Sequence, residues 1–356
     1  MELVNYQCPN CGAGLKYDPA SGKFRCEYCL AEFTEEEMTA AEKETGNQAG
    51  KETEKLTEKE EEKEAGTQAV YTCPNCGAEL VTDETTAASF CYYCHSPVIL
   101  SGRLSGEFLP DYVIPFSFDR EKAMEIFSGW IRMKKLLPRD FFSESQIEKF
   151  SGVYFPYLIY SCRVEGSVKA EAETQRVWTM GNTRYTEHKK YQVEREGELE
   201  VRHLARNALS RNNRDLVEGI LPFDMEKMLP FHTGYLSGFL AEKRDMDSSG
   251  FEPQVREEVS SYTAENLKAS MTGYNSVRIL DQKMEIRDPS WKYALFPVWT
   301  MTYRDPKKGK IYYFTMNGQT GKINGELPVD QRKLALLFAG VFLPVFLFLL
   351  MGGWFL

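Results

Sequence analysis

The chain has 356 residues, 42% of them hydrophobic and 27% charged, which excludes a wholly disordered protein and allows more than one domain. Its formal net charge of -9 lacks the basic excess on which phosphate binding depends, so nucleic acid is not the default partner. The opening MELVNYQCPN has no basic start followed by an apolar core, and the folded part is expected to stay where it is synthesised.

Almost the same eight residues occur twice, as CPNCGAGL from Cys8 and CPNCGAEL from Cys73. The match extends to all four cysteines of each copy: Cys8, Cys11, Cys26 and Cys29 align with Cys73, Cys76, Cys91 and Cys94 at one constant offset of 65 residues. Each copy reads C-x2-C-x14-C-x2-C, a spacing that brings two CxxC turns to one metal ion. A module of this size buries too little apolar surface to hold itself together, and four thiolates at about 2.3 Å from a zinc ion replace the missing core. We therefore read two small β zinc ribbons with two structural Zn2+ ions. A rubredoxin-like iron site uses the same ligands, and paired redox disulfides use the same thiols.

In chain order, residues 1–33 form the first ribbon. Gly12 and Gly77, directly after the second cysteine of each copy, suit a knuckle that points amides at sulfur, whereas Leu30 and His95 at the second knuckle suit it less well. Residues 34–70, dominated by Glu, Lys and Thr, read as a solvated acidic tether. Residues 71–100 form the second ribbon, with His95 read as a surface side chain beside Cys94.

Residues 101–330 read as an α+β domain. DREKAMEIFSGWIRMKKLLP places Met124, Phe127 and Ile131 on one helical face, with Asp119 as N-cap and Pro138 as the stop. VYFPYLIYSCRV and RYTEHKKYQVERE read as strands. PQVREEVSSYTAENLKASMTG reads as a helix burying Val255, Val259 and Tyr262 and ending near Gly273. In KIYYFTMNGQTGKI, Asn317-Gly318 fits the positive φ of a tight hairpin. YFPYLIYSCRV and LFPVWTMTYRD echo one another faintly, which chance explains as well as duplication does. Arg304, Lys307, Lys308 and Lys310 lie on an expected turn that either touches anionic headgroups or is simply solvated.

The last 23 residues, Leu334 to Leu356, carry no charged side chain and as a helix span about 34 Å, enough to cross a membrane. Pro344 is tolerated in such a helix, and Arg332 and Lys333 before it favour a cytoplasmic body.

Catalytic signals are weak. NGQTGKIN lacks the spacing of a P-loop, and GYLSGF around Ser237 is not a nucleophile elbow. His188, His203 and His232 have no metal-ligand spacing, and Cys162 sits in an apolar strand pattern typical of a core residue. Four sulfurs leave a metal no open position for water, so both sites read as structural. The second ribbon contains no Lys or Arg, and the first sets Lys16, Lys23 and Arg25 against several acids.

The first ribbon YQCPNCGAGLKYDPASGKFRCEYC, then ETTAASFCYYC, GRLSGEFLPDYVIPF, YFPYLIY and FTMNGQTGKINGELP resemble, in order and spacing, the bacterial transcription-factor-IIB-type zinc-ribbon proteins, some of which are labelled primosomal helicase-like. The resemblance spans essentially the whole chain. It implies zinc on the eight paired cysteines and a membrane-attached, non-enzymatic protein encoded beside SPFH-domain and phage-shock-type envelope proteins. The expectation is a single-pass membrane scaffold, its bulk cytoplasmic, that recruits protein partners and has no small-molecule substrate. The alternative is a nucleic-acid-associated ribbon protein.

Overall fold

The computed structural model describes residues 3–4, 8–38, 69–72, 79–83, 85–90, 97–100, 103–138, 141, 150–210, 214–304 and 310–354. The fold is mostly β. Its strands are β1 (Leu3–Val4), β2 (Leu15–Asp18), β3 (Lys23–Cys26), β4 (Glu32–Phe33), β5 (Ala69–Thr72), β6 (Glu79–Thr82), β7 (Thr86–Phe90), β8 (Pro97–Leu100), β9 (Tyr112–Val113), β10 (Ser151–Met180), β11 (Thr183–Asn207), β12 (Leu229–Pro230), β13 (Leu240–Glu242), β14 (Ser276–Arg304), β15 (Ile311–Asn317) and β16 (Ile323–Gly325). Helices are α1 (Arg120–Arg132), α2 (Arg214–Glu218), α3 (Glu252–Ala269) and α4 (Gln331–Trp354).

One large sheet follows the path β1-β8-β7-β13-β10-β14-β15-β16, with β11 on β10, β9 on β14 and β12 on β9. Its spine is the antiparallel pair β10 and β14, matched from Ser151 opposite Thr300 to Glu173 opposite Ser276. The two echoing segments meet there, Phe155 directly opposite Phe296. Period-2 patterning sets the faces of the outer half of β10. Cys162, Val164, Val168, Ala170 and Ala172 are buried, while Arg163 and Lys169 between them are exposed.

Helix α3 covers the apolar face. Gly166 lies opposite Gly197, and a Cβ on either would come within 3.1 Å of a methyl of Leu267, so this glycine pair admits the helix. Val255 and Val259 are buried as their spacing implies, but Tyr262 is 57% exposed. Thr263 and Ala264 take the inner positions instead, and Leu267 meets the glycine pair. Helix α1 begins where its cap signals it: the Asp119 carboxylate accepts the Lys122 amide at 2.8 Å. Phe127 is buried and Met124 and Ile131 pack against the core, but the helix ends at Arg132, before Pro138.

The β15–β16 turn differs from a two-residue hairpin. Positive φ falls on Gly321 (75°), and Asn317 is fully buried as the organiser of the turn. Its side-chain oxygen accepts the amides of Gln319 and Thr320 at 2.9 Å, and its NH2 donates to the carbonyls of Ile220 at 3.0 Å and Pro222 at 3.2 Å. Replacing Asn317→Ala strands these buried groups and is expected to cost about 2–4 kcal/mol. Denaturant unfolding measures this, and an unchanged midpoint would contradict it.

Helix α4 leaves the body beside α1. Lys333 reaches the Leu137 carbonyl at 2.6 Å, and the Asp330 amide donates to Leu136 at 2.8 Å. From Gln331 to Leu350 its mean hydropathy is 2.4 and none of it is buried, so by length and composition it is apolar enough to cross a membrane. Lys310 of the basic cluster pairs with Glu326 at 3.1 Å, whereas Lys307 and Lys308 lie outside the described residues.

Candidate metal centre

The first cysteine module folds as two matching knuckles around the three-stranded sheet β2-β3-β4. In one, the Gly12 amide donates to the Cys8 carbonyl at 2.8 Å and the Cys8 amide to Ala13 at 2.7 Å. In the other, the Leu30 amide donates to Cys26 and the Cys26 amide to Ala31, both at 2.9 Å. Gly12 takes φ 74° and Leu30 takes φ 61°, so the second turn keeps the geometry of the first despite its side chain. Left-handed backbone costs a non-glycine residue about 1–2 kcal/mol, which the closed knuckle must offset.

These turns bring the four sulfurs of Cys8, Cys11, Cys26 and Cys29 within 4.8 Å of one another. Cys8 and Cys29 stand 3.5 Å apart across the site, as do Cys11 and Cys26. A tetrahedral ion with bonds of about 2.3 Å needs sulfurs about 3.8 Å apart, so this group could hold a metal ion with small adjustments. Cys8 and Cys26 are buried while Cys11 and Cys29 face outward. The Cys29 amide points at the Cys26 sulfur from 3.5 Å and is the main reason its thiol titrates low, at about 7. At Cys11 the Ala13 amide favours the thiolate, but burial and the three neighbouring sulfurs outweigh it and raise the thiol to about 12.

Cys73, Cys76, Cys91 and Cys94, together with His95, lie outside the described residues. The flanking strands are paired: Thr72 opposite Glu79 in the β5–β6 sheet, and Phe90 opposite Pro97 where β7 and β8 join the large sheet.

The body supplies a seat for the first module. The Tyr17 amide donates to the Ser237 carbonyl at 3.0 Å, and the Ser237 hydroxyl donates back to the Leu15 carbonyl. Phe24 and Tyr17 pack against Tyr235, whose hydroxyl donates to Glu35 at 2.6 Å. Burial and then Glu35 push the Tyr17 hydroxyl up to about 12, and burial raises Tyr235 further. A Cβ on Gly234 would lie 2.9 Å from the Phe24 ring, so the close approach requires glycine. In the sequence Ser237 stands in no hydrolase motif, and the glycines of GYLSGF are the only local signal of this close approach. Beside the seat a cleft of about 1080 Å³ separates module and body, lined by Lys16, Arg25 and Glu27 against Phe150, Phe239 and Trp299.

The remaining candidates stay scattered. His188 contacts Glu173 on the outer arm, and His232 accepts the Gly234 amide at 3.2 Å. Cys162 is buried in β10, where burial raises its thiol.

Across 361 aligned residues the chain is 31% identical to the uncharacterized protein YdjG of Bacillus subtilis (strain 168), covering 99% of this chain and 100% of that protein. The chain belongs to the YdjG family. No family model matches it, and no solved structure does. The alignment runs from end to end of both proteins.

Metal binding requires thiolates, so protons compete for the site. Cys11 holds its proton up to about 12, and below about 7 Cys26 gains one as well. A metal ion held by these sulfurs should therefore be retained at alkaline pH and lost on acidification. Release to a chromogenic chelator, followed from about pH 8 to pH 5, should rise as pH falls; release independent of pH would contradict thiolate ligation.

Proposed function

We propose that the protein is a non-enzymatic, membrane-anchored zinc-ribbon scaffold. Each of its two cysteine modules holds one structural zinc ion, and helix α4 fixes the chain to the membrane with the β-rich body on the cytoplasmic side. The closed set of four sulfur donors in the first module supports this reading most strongly. A metal held by four thiolates has no open position for water or substrate, and all-sulfur tetrahedral sites suit zinc.

The seat of the first module adds to this reading. Its ligands Cys8 and Cys26 belong to the same buried cluster as Leu236 and Phe239, so metal ligation and body packing reinforce one another. Such a module holds a surface in shape. Protein partners fit that surface better than nucleic acid does, because Lys16 and Lys23 are paired with Glu27 at 2.8 Å and Glu32 at 3.5 Å. SPFH-domain or phage-shock-type envelope proteins are the partners suggested by the resemblance of the sequence.

The test combines metal analysis with fractionation of the full chain. Purified protein should contain two zinc ions per chain, and the Cys26→Ser, Cys29→Ser double variant one. The full chain should sediment with membranes, and a form ending before Leu334 should remain soluble. Iron in place of zinc, a variant with undiminished zinc, or a truncated form that still sediments with membranes would each contradict the corresponding part of the proposal.

A further inference from the structure

Strands β10, β11 and β14 form a long arm whose two outer edges are built differently. The outer edge of β14 is interrupted by Pro289 and by Asp288 at φ 50°, devices that block pairing with another strand. From Thr183 to Val201 strand β11 has neither, its one left-handed residue, His203 at φ 59°, lying beyond that stretch. It pairs only with β10 among the described strands, and its register is unbroken from Val201 opposite Cys162 to Thr183 opposite Met180. At about 3.4 Å per residue this is an open edge of about 60 Å.

The charges along that edge are sorted by sign. Its first half carries Arg184, Lys189 and Lys190 with one acid, Glu187. Its second half, up to Val201, carries Glu194, Glu196, Glu198 and Glu200 with one base, Arg195. A strand basic at one end and acidic at the other complements a second copy of itself running the opposite way.

We propose that two copies of the chain pair edge to edge through β11, antiparallel about a two-fold axis at Gln192. In this register Lys190 faces Glu194 of the second copy, His188 faces Glu196 and Arg184 faces Glu200. All lie on the charged face of the sheet, the face of Glu171 and Glu173, which sit opposite Gln192 and Lys190. On the α3 side, Tyr191 meets Val193 and Tyr185 meets Leu199, covering two tyrosines that are 40% and 44% exposed in the single chain. One like-charge pair results, Lys189 opposite Arg195, and Lys189 is held by Glu187 at 3.4 Å in its own strand.

Contacts within one arm do not saturate these groups. Arg184 and Glu196 have no ion pair among the described residues, and the Lys190–Glu171 and Glu194–Lys169 pairs, at 3.1 and 3.4 Å, are exposed and individually weak. A two-fold pairing of this kind uses both open edges at once and closes at the dimer.

The test uses the full chain in detergent, with mass measured by sedimentation equilibrium and folding checked by thermal unfolding. Wild type should be a dimer. An acidic-edge variant, Arg184→Glu with Lys190→Glu, and a basic-edge variant, Glu194→Lys with Glu200→Lys, should each dimerise at least about tenfold more weakly. Mixed together, the two variants should form a heterodimer, and a chain carrying all four substitutions should dimerise with itself again. A monomeric wild type, variants that dimerise as well as wild type, or a mixture and a fourfold variant that both stay monomeric would overturn the proposal. Rescue on mixing cannot come from a merely unfolded variant.

Discussion

Four sulfur atoms packed into one corner of the molecule impose the constraint on which its N-terminal half depends. A module built from two knuckles and three short strands has almost no interior of its own. Its largest buried side chains, Leu15 and Phe24, are buried partly because the body lies against them. Two supports therefore converge on the same residues: the ion that the four sulfurs could hold from inside, and the Tyr235–Ser237 turn from outside. Neither is sufficient by the usual measure of a small domain, and each makes the other more effective by fixing the backbone they share.

This joint support shapes the rest of the fold. The sheet that begins at β10 runs outward from the anchored end as a long arm, its inner face closed by α3 through a pair of glycines. Helix α4 departs beside the segment that follows α1, where Lys333 donates to the Leu137 carbonyl and the Asp330 amide to that of Leu136. The large sheet thus projects a long arm with an open β11 edge, while the four-sulfur group that could hold a metal ion sits on a small sheet of its own.

Much of this was legible in the residues. Duplicated cysteine spacing points to the knuckles, Asp119 marks the start of α1, and the uncharged C-terminus is visible at a glance. What escaped was tertiary in origin. Leu30 looks wrong for a knuckle, yet the hydrogen bonds of Cys26 with Leu30 and Ala31 hold it in the same left-handed turn as Gly12. Tyr262 fits the helical period, but Thr263 and Ala264 turn inward in its place. Asn317-Gly318 has the composition of a tight hairpin, whereas burial of Asn317 against the carbonyls after α2 moves the turn to Gly321. The seat at Ser237 left no periodic trace at all, since it joins segments more than two hundred residues apart.

Hydrogen exchange of the full chain, with and without a strong chelator, addresses the shared support most directly. Removing metal should raise exchange in two places together: the module from Leu15 to Cys26, and the body turn from Tyr235 to Ser237. If the module loosens while that turn keeps its protection, the two are independent, and the metal steadies nothing beyond its own knuckles.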